Sequence, residues 1–269
     1  MGVLLGQRDI HSFFSKVKNQ LMKFIHIVLI ALLSGFTLKA QSTSEKSIPV
    51  SSGKSVSLDF KWPELIQIKA WDKNEVKIVA KVDINKGQND DAFQINVDNT
   101  GESVLINSEI KDYKNLPRKI VIKMDGQEYF FNTDDRNSPE IRAFEEEHGS
   151  ASYSYVNYGV IMEITLEVWV PKSSPLEVYS KFGLVEIDDF SGAMNIHSKF
   201  GGIDITTVAS IPIKAGTKFG EKYTNLTVPI NSIQVGSHPG RWDWVQLGRN
   251  NGAVRELKSE FGNIYIRRQ

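Results

Sequence analysis

Glu186 and Asp204 are the two carboxylates whose placement could do chemistry. Each stands four residues after a phenylalanine in a recurring Phe-Gly unit, Phe182-Gly183 and Phe200-Gly201. On neighbouring strands their carboxyls would lie about 4.8 Å apart. That is close to the roughly 5–5.5 Å separation of a retaining glycosidase pair. The same position in the later units holds Tyr223 and Tyr265, so the acidic row stops at two. A weak cation site with Asp188 or Asp189 is a second chemical reading, and a pair of solvated strand residues is the plain one.

Aromatic residues offer a different chemistry. Trp242 and Trp244 share one face of an alternating segment, where they would either stack on sugar rings or close the end of a core. Trp62, Trp71 and Trp169 are further candidates for an aromatic platform. The segment 125–158 places Tyr129, Phe130, Phe131, Tyr153, Tyr155 and Tyr158 around eight acids, from Asp125 to Glu147, opposed only by Arg136 and Arg142. Long excursions from a rigid scaffold often carry binding function. The binding candidates are therefore Trp242, Trp244, Tyr129, Phe131, Tyr153 and Tyr155.

Other signatures are missing from the sequence. After residue 40 the histidines are His148, His197 and His238, too scattered for a zinc motif. No Gly-x-Ser-x-Gly elbow, Walker loop or dinucleotide fingerprint occurs. Asp98–Glu102 has calcium-like composition without the spacing of a full loop, and reads as a hairpin turn. The sequence implies no cofactor and no catalytic metal. Cysteine is absent, which excludes disulfides, thiol nucleophiles and Cys-ligated zinc. The 269 residues carry 32 basic and 32 acidic side chains, which argues against a nucleic-acid partner held by a basic surface.

The first forty residues differ from the rest. Met22-Lys23 precedes the apolar run Phe24–Phe36, and polar sequence takes over after Ala40. That order predicts a secretory signal peptide cleaved after Ala40, with Met22 as the natural start. The run is too short to span a bilayer comfortably, and with no cysteine after it the chain is no lipoprotein. Residues 1–40 hold five bases and one acid, so residues 41–269 hold 27 bases against 31 acids, a net of −4. The expectation is an exported protein of the periplasm or cell surface, without an integral membrane domain once the signal is removed.

The elements that must position these residues read as strands. Val76, Ile78, Ala80, Val82 and Ile84 alternate with polar residues, as do Ile164, Leu166, Val168 and Val170. Period two with β-branched residues marks half-buried strands. Val56–Phe60, Ile66–Ala70 and Val104–Ile106 read alike, and Pro139–His148 holds one short helix. Asn85–Asp91 and Asp98–Gly101 are turns.

The second half repeats. Lys181-Phe182-Gly183, Lys199-Phe200-Gly201, Lys218-Phe219-Gly220 and Glu260-Phe261-Gly262 place their phenylalanines 18, 19 and 42 residues apart. Two residues before each stands Ser180, Ser198, Thr217 or Ser259. A repeat of roughly 20 residues fits a β-solenoid. The long third interval then implies a missing coil near Trp242–Val245. The phenylalanines share the parity of the apolar residues before them, which predicts a buried Phe ladder. The glycines are expected to turn the corner through backbone angles that a Cβ would forbid.

Val56–Phe60, Ile66–Asp72, Glu75–Ile78, Leu166–Pro171 and the Gly-x-Ile-x-Ile rungs at Gly201 and Gly262 resemble the putative-adhesin family of exported bacterial β-solenoid proteins, relatives of the head-GIN domain, over roughly residues 46–269. The resemblance implies an adhesive role and no defined catalytic residues. The expected architecture is all-β: a single-stranded β-solenoid over 41–269, with irregular N-terminal strands and one long insertion at 125–158. Residues 41–60 and Arg267-Arg268-Gln269 would blunt its strand edges. The expected function is a non-enzymatic binding protein, adhesive in role, whose partner is an envelope polymer, a glycan or a protein. A carbohydrate-active enzyme using Glu186 and Asp204 and a purely structural envelope protein are the alternatives.

Overall fold

Alternating apolar residues do what the period-two pattern requires: they line one core between two sheets. In a computed structural model, residues 41–149, 153–172, 174–206, 213–220, 222–224, 233–238, 242–247, 255–259 and 264–266 are described, with backbone alone for Tyr155, Ile213 and the strands after Gly220. The leader 1–40 and the C-terminal 267–269 lie outside the described residues.

In chain order the elements begin with β1 (Ser42–Pro49), β2 (Ser55–Phe60), β3 (Leu65–Trp71), β4 (Glu75–Ile84), β5 (Phe93–Asp98), β6 (Ser103–Ile110), β7 (Lys119–Met124) and β8 (Gln127–Phe131). There follow α1 (Pro139–His148), β9 (Tyr155–Gly159), β10 (Met162–Pro171), β11 (Leu176–Ser180), β12 (Leu184–Asp188), β13 (Met194–Ser198) and β14 (Ile203–Thr206). The last are β15 (Ile213–Thr217), β16 (Lys222–Thr224), β17 (Ile233–His238), β18 (Trp242–Leu247), β19 (Arg255–Ser259) and β20 (Ile264–Ile266).

The protein is all-β apart from α1 and two short 3-10 turns among the described residues. One sheet runs β1-β4-β10-β3-β12-β14-β16-β20 and the other β17-β18-β19-β15-β13-β11-β2-β6-β5. Both are open and mixed. Parallel pairing holds from β10 to β20 in the first and from β19 to β6 in the second, with antiparallel strands beyond. The architecture is thus not a single-stranded coil throughout: β1 and β4 pair antiparallel at one edge of the first sheet, and in the second the short link between β5 and β6 makes them antiparallel neighbours.

Successive Phe-Gly units contribute one strand to each sheet. Leu176, Met194, Ile213 and Arg255 stand in register in one sheet. Val185, Ile203, Lys222 and Ile264 stand in register in the other. Inward residues such as Val178, Ile196, Val185 and Ile203 are buried in the shared core with Leu58, Ile66, Ile78 and Leu166. Since β15 pairs with β19 and β16 with β20, no coil is missing between them. Between them in sequence lie β17 and β18, an antiparallel pair on the outer edge of the second sheet. Only Pro239-Gly240-Arg241 separates β17 from β18, too short a link for parallel strands.

β1 covers one edge of the first sheet, but β2 lies inside the second, between β11 and β6, rather than capping it. The segment 125–158 is more than a loop. With β7 it forms the three-stranded sheet β8-β7-β9, over which α1 packs. Ser138 caps α1, its Oγ accepting from Ile141 N at 3.4 Å, and Pro139 begins it. No helix among the described residues is long and apolar enough to cross a membrane.

Candidate functional site

The corner between the two sheets concentrates exposed aromatic surface. Ser180, the last residue of β11, points into the core, and the chain then turns through Lys181-Phe182-Gly183 into β12. Strand alternation ends at Ser180, so the parity argument that placed the phenylalanines in the core fails. Phe182, Phe200 and Phe219 are 44%, 43% and 44% exposed. Their register is that of the strands, so the rings repeat at nearly the strand spacing. Phe182 and Phe200 stack with centroids 5.5 Å apart, and Phe200 and Phe219 with centroids 5.2 Å apart, at interplanar angles of 15° and 9°.

What occupies the inward position is a hydroxyl. Ser180 Oγ donates to Gly183 O at 2.9 Å and accepts from Gly183 N at 3.1 Å. Ser198 Oγ does the same with Gly201, at 2.8 and 3.1 Å, and Thr217 Oγ1 donates to Gly220 O at 2.8 Å. All three side chains are buried. The corner's backbone also pairs from rung to rung: Phe200 N donates to Lys181 O and Phe219 N to Lys199 O, both at 2.9 Å.

The glycines serve close approach rather than left-handed geometry, since none of Gly183, Gly201 and Gly220 has a positive φ. A Cβ on Gly201 or Gly220 would meet the carbonyl oxygen of the preceding rung's glycine at 2.0 Å. This contact explains the recurrence of Phe-Gly better than backbone freedom does.

A lysine attends each ring. Lys181 Nζ lies 4.6 Å from the Phe182 centroid, Lys199 Nζ 5.0 Å from Phe200, and Lys218 Nζ 5.5 Å from Phe219. The row extends by one rung that the Phe-Gly pattern misses. Ser180 is in register with Phe60, so Lys61-Trp62-Pro63 answers Lys181-Phe182-Gly183. Trp62 lies 6.2 Å from Phe182 and 4.5 Å from Tyr113. The signal available in the sequence was Val56-x-Leu58-x-Phe60, six, four and two residues before Trp62. It is obscured by one additional residue, Glu64, before Leu65.

The sequence candidates fall elsewhere. Glu186 and Asp204 are directly opposed on β12 and β14, on the outer face of the first sheet. Gln67 Nε2 donates to Glu186 Oε2 at 2.9 Å from the adjoining β3. Among the described residues no group of three or more metal-ligating side chains comes together. Tyr129, Phe131 and Tyr153 surround Phe144 of α1, with centroids at 4.7, 5.3 and 6.0 Å. They pack with Ile120, Ile122 and Ile141 in a small second core. Burial pushes the Tyr153 hydroxyl pKa up, with Glu145 adding to the shift. Tyr155 lies on β9, and Trp242 and Trp244 on β18; their side chains are outside the described residues.

Trp71 and Trp169 make a second aromatic pair on the outer face of the first sheet, 6.2 Å apart, with Lys69, Lys73 and Lys77 against their rings. Its charges are largely satisfied: Lys69 and Lys81 reach Glu167 at 3.6 and 3.1 Å, and Lys77 reaches Glu45 at 2.8 Å.

No family model matches this chain, and no curated protein does. A crystal structure described as a putative cell adhesion protein from Clostridium sporogenes overlaps it with a TM-score of 0.48 at 9% identity, over 85% of this chain and 100% of that one. A similarity this distant assigns no function.

Proposed function

We propose that this chain is an exported, non-enzymatic binding protein of the bacterial envelope, adhesive in role, built as a solenoid-like stack that holds a row of aromatic and lysine side chains out to a polymer. The observation that carries the reading is the exposure of Phe182, Phe200 and Phe219 on a rigid corner. Burying a phenylalanine contributes about 1.5–3 kcal/mol. A fold that forgoes much of that gain at three consecutive rungs has aromatic surface to spare for a partner. Rung-to-rung hydrogen bonds fix the row before any ligand arrives, which lowers the ordering cost of binding. The apolar run and polar switch of the leader support export. The Gln67 bond to Glu186, on an open sheet face, supports reading the carboxylate pair as structural.

The test is a binding screen of the purified full chain against neutral and charged glycans and envelope polymers, assayed in parallel for product release. Saturable binding without turnover, lost in Phe182→Ala/Phe200→Ala/Phe219→Ala, is the expected result. Reducing-sugar release abolished in Glu186→Ala would overturn it in favour of the enzyme. Binding to nothing, or binding indifferent to the triple variant, would favour a structural envelope component.

A further inference from the structure

We infer that the corner row binds a linear acidic polysaccharide, with one carboxylate engaged at each of the Lys181–Phe182 and Lys199–Phe200 rungs; this rests on the binding reading above and names its ligand class. The ring geometry makes the first step. Neutral sugars stack on the flat face of an aromatic ring, but the faces of Phe200 are shared between the flanking rings, at 5.5 and 5.2 Å, and Lys199 Nζ, 5.0 Å from its centroid. What the row offers to solvent is ring edges, and the edge of an aromatic ring is its electropositive part.

The lysines make the second step. An ammonium held against an aromatic ring at an exposed site keeps N–H donors for a ligand, because the ring neutralises no charge. Among the described residues, neither Lys181 nor Lys199 has a carboxylate within ion-pair distance. The Trp71–Trp169 patch is the opposite case, with its lysines matched by Glu167 and Glu45. The row also has a direction. At its Trp62 end Lys61 lies 3.9 Å from Asp59, and Glu64 is exposed just beyond. The unmatched positive charge therefore lies at the Phe182 and Phe200 rungs.

Spacing selects the kind of polyanion. The ring centroids repeat at 5.5 and 5.2 Å. A uronate polymer carries one carboxylate per sugar ring, a step comparable with that repeat. A strand of duplex DNA is denser, with one charge per roughly 3.4 Å of axis, and the chain as a whole has no net positive charge to hold a nucleic acid of either form.

The test uses the full chain with polygalacturonate, the same polymer with its carboxylates methyl-esterified, and single-stranded DNA. The expected result is saturable binding to polygalacturonate alone, weakening as salt shortens the screening length. It should fall about tenfold or more in Lys181→Gln/Lys199→Gln/Lys218→Gln, with circular dichroism unchanged. Equal binding to the esterified polymer, lost in the triple Phe variant but not in the triple Lys variant, would overturn the acidic ligand and leave the binding reading standing. Equal Lys-dependent binding to DNA would overturn the glycan assignment. Binding to no polymer, or binding to which neither row contributes, would overturn both.

Discussion

Phe200 lies parallel to Phe182, within 15° and at 5.5 Å, while 43% of its surface faces solvent. It is stacked without being buried, and that separates its two possible contributions. Each stacked pair contributes about 0.5–1.5 kcal/mol beyond area burial. Phe200→Ala, which removes two such contacts, is expected to cost about 1–3 kcal/mol in urea unfolding. Phe60, fully buried where the neighbouring strand has Ser180, is a core residue. Phe60→Ala should cost about 3–5 kcal/mol. Equal losses for the two variants would mean that the row belongs to the core after all.

Gly201 tests the close approach of adjacent rungs. An added Cβ would lie 2.0 Å from Gly183 O and 2.4 Å from the carbonyl carbon, both backbone atoms that cannot rotate away. Gly201→Ala is expected to lose at least about 2 kcal/mol of stability. Gly101, in the β5–β6 turn, has nothing within 4 Å of an added Cβ, and Gly101→Ala should stay within about 0.5 kcal/mol of wild type. Thermal unfolding of the two variants side by side settles the matter.

The elements with clean periodicity were legible in the sequence. Glu75–Ile84 is β4 and Pro139–His148 is α1, residue for residue. The corner was misread for a physical reason. Parity counted from Leu176 through Val178 and Ser180 predicts an inward residue at 182, but alternation is a property of extended backbone and stops where the chain turns. The same failure hid Trp62, whose corner carries Glu64 in addition. The 42-residue interval reads as a lost coil because its length alone does not show that β17 and β18 pair antiparallel. Ser180 and Ser198 are visible as a recurrence, but only the structure shows each hydroxyl bonded to the glycine directly after the exposed ring.

Ser198 makes the matching prediction about polar burial. Its Oγ satisfies both N and O of Gly201 from a buried position. Ser198→Ala strands those groups and is expected to cost about 1–3 kcal/mol. Thr217 donates to Gly220 O in the next rung. Thr217→Ser keeps a hydroxyl and removes one methyl, so the loss should be about 0.8 kcal/mol. If the two substitutions cost the same, packing rather than hydrogen bonding would explain the Ser/Thr position.

Acid titration distinguishes two glutamates by sign. The hydrogen bond from Lys81 holds the Glu167 pKa below the ordinary glutamate value, against burial and with help from the charges of Lys81 and Lys69. Its contribution is present above the unfolded value and is lost as pH falls through the lowered folded value. Glu64 is the reverse: the partial desolvation of its largely exposed carboxyl, with Glu163 nearby, raises its pKa. Its contribution is complete below the unfolded value and is lost as pH rises through the raised one. Unfolding free energies measured between about pH 3 and 7 should therefore decline less steeply with acid in Glu167→Gln and more steeply in Glu64→Gln. Both groups are largely solvated, so each change should stay under about 1 kcal/mol. A steeper acid decline in Glu167→Gln would show that the Lys81 bond does not favour the charged carboxylate.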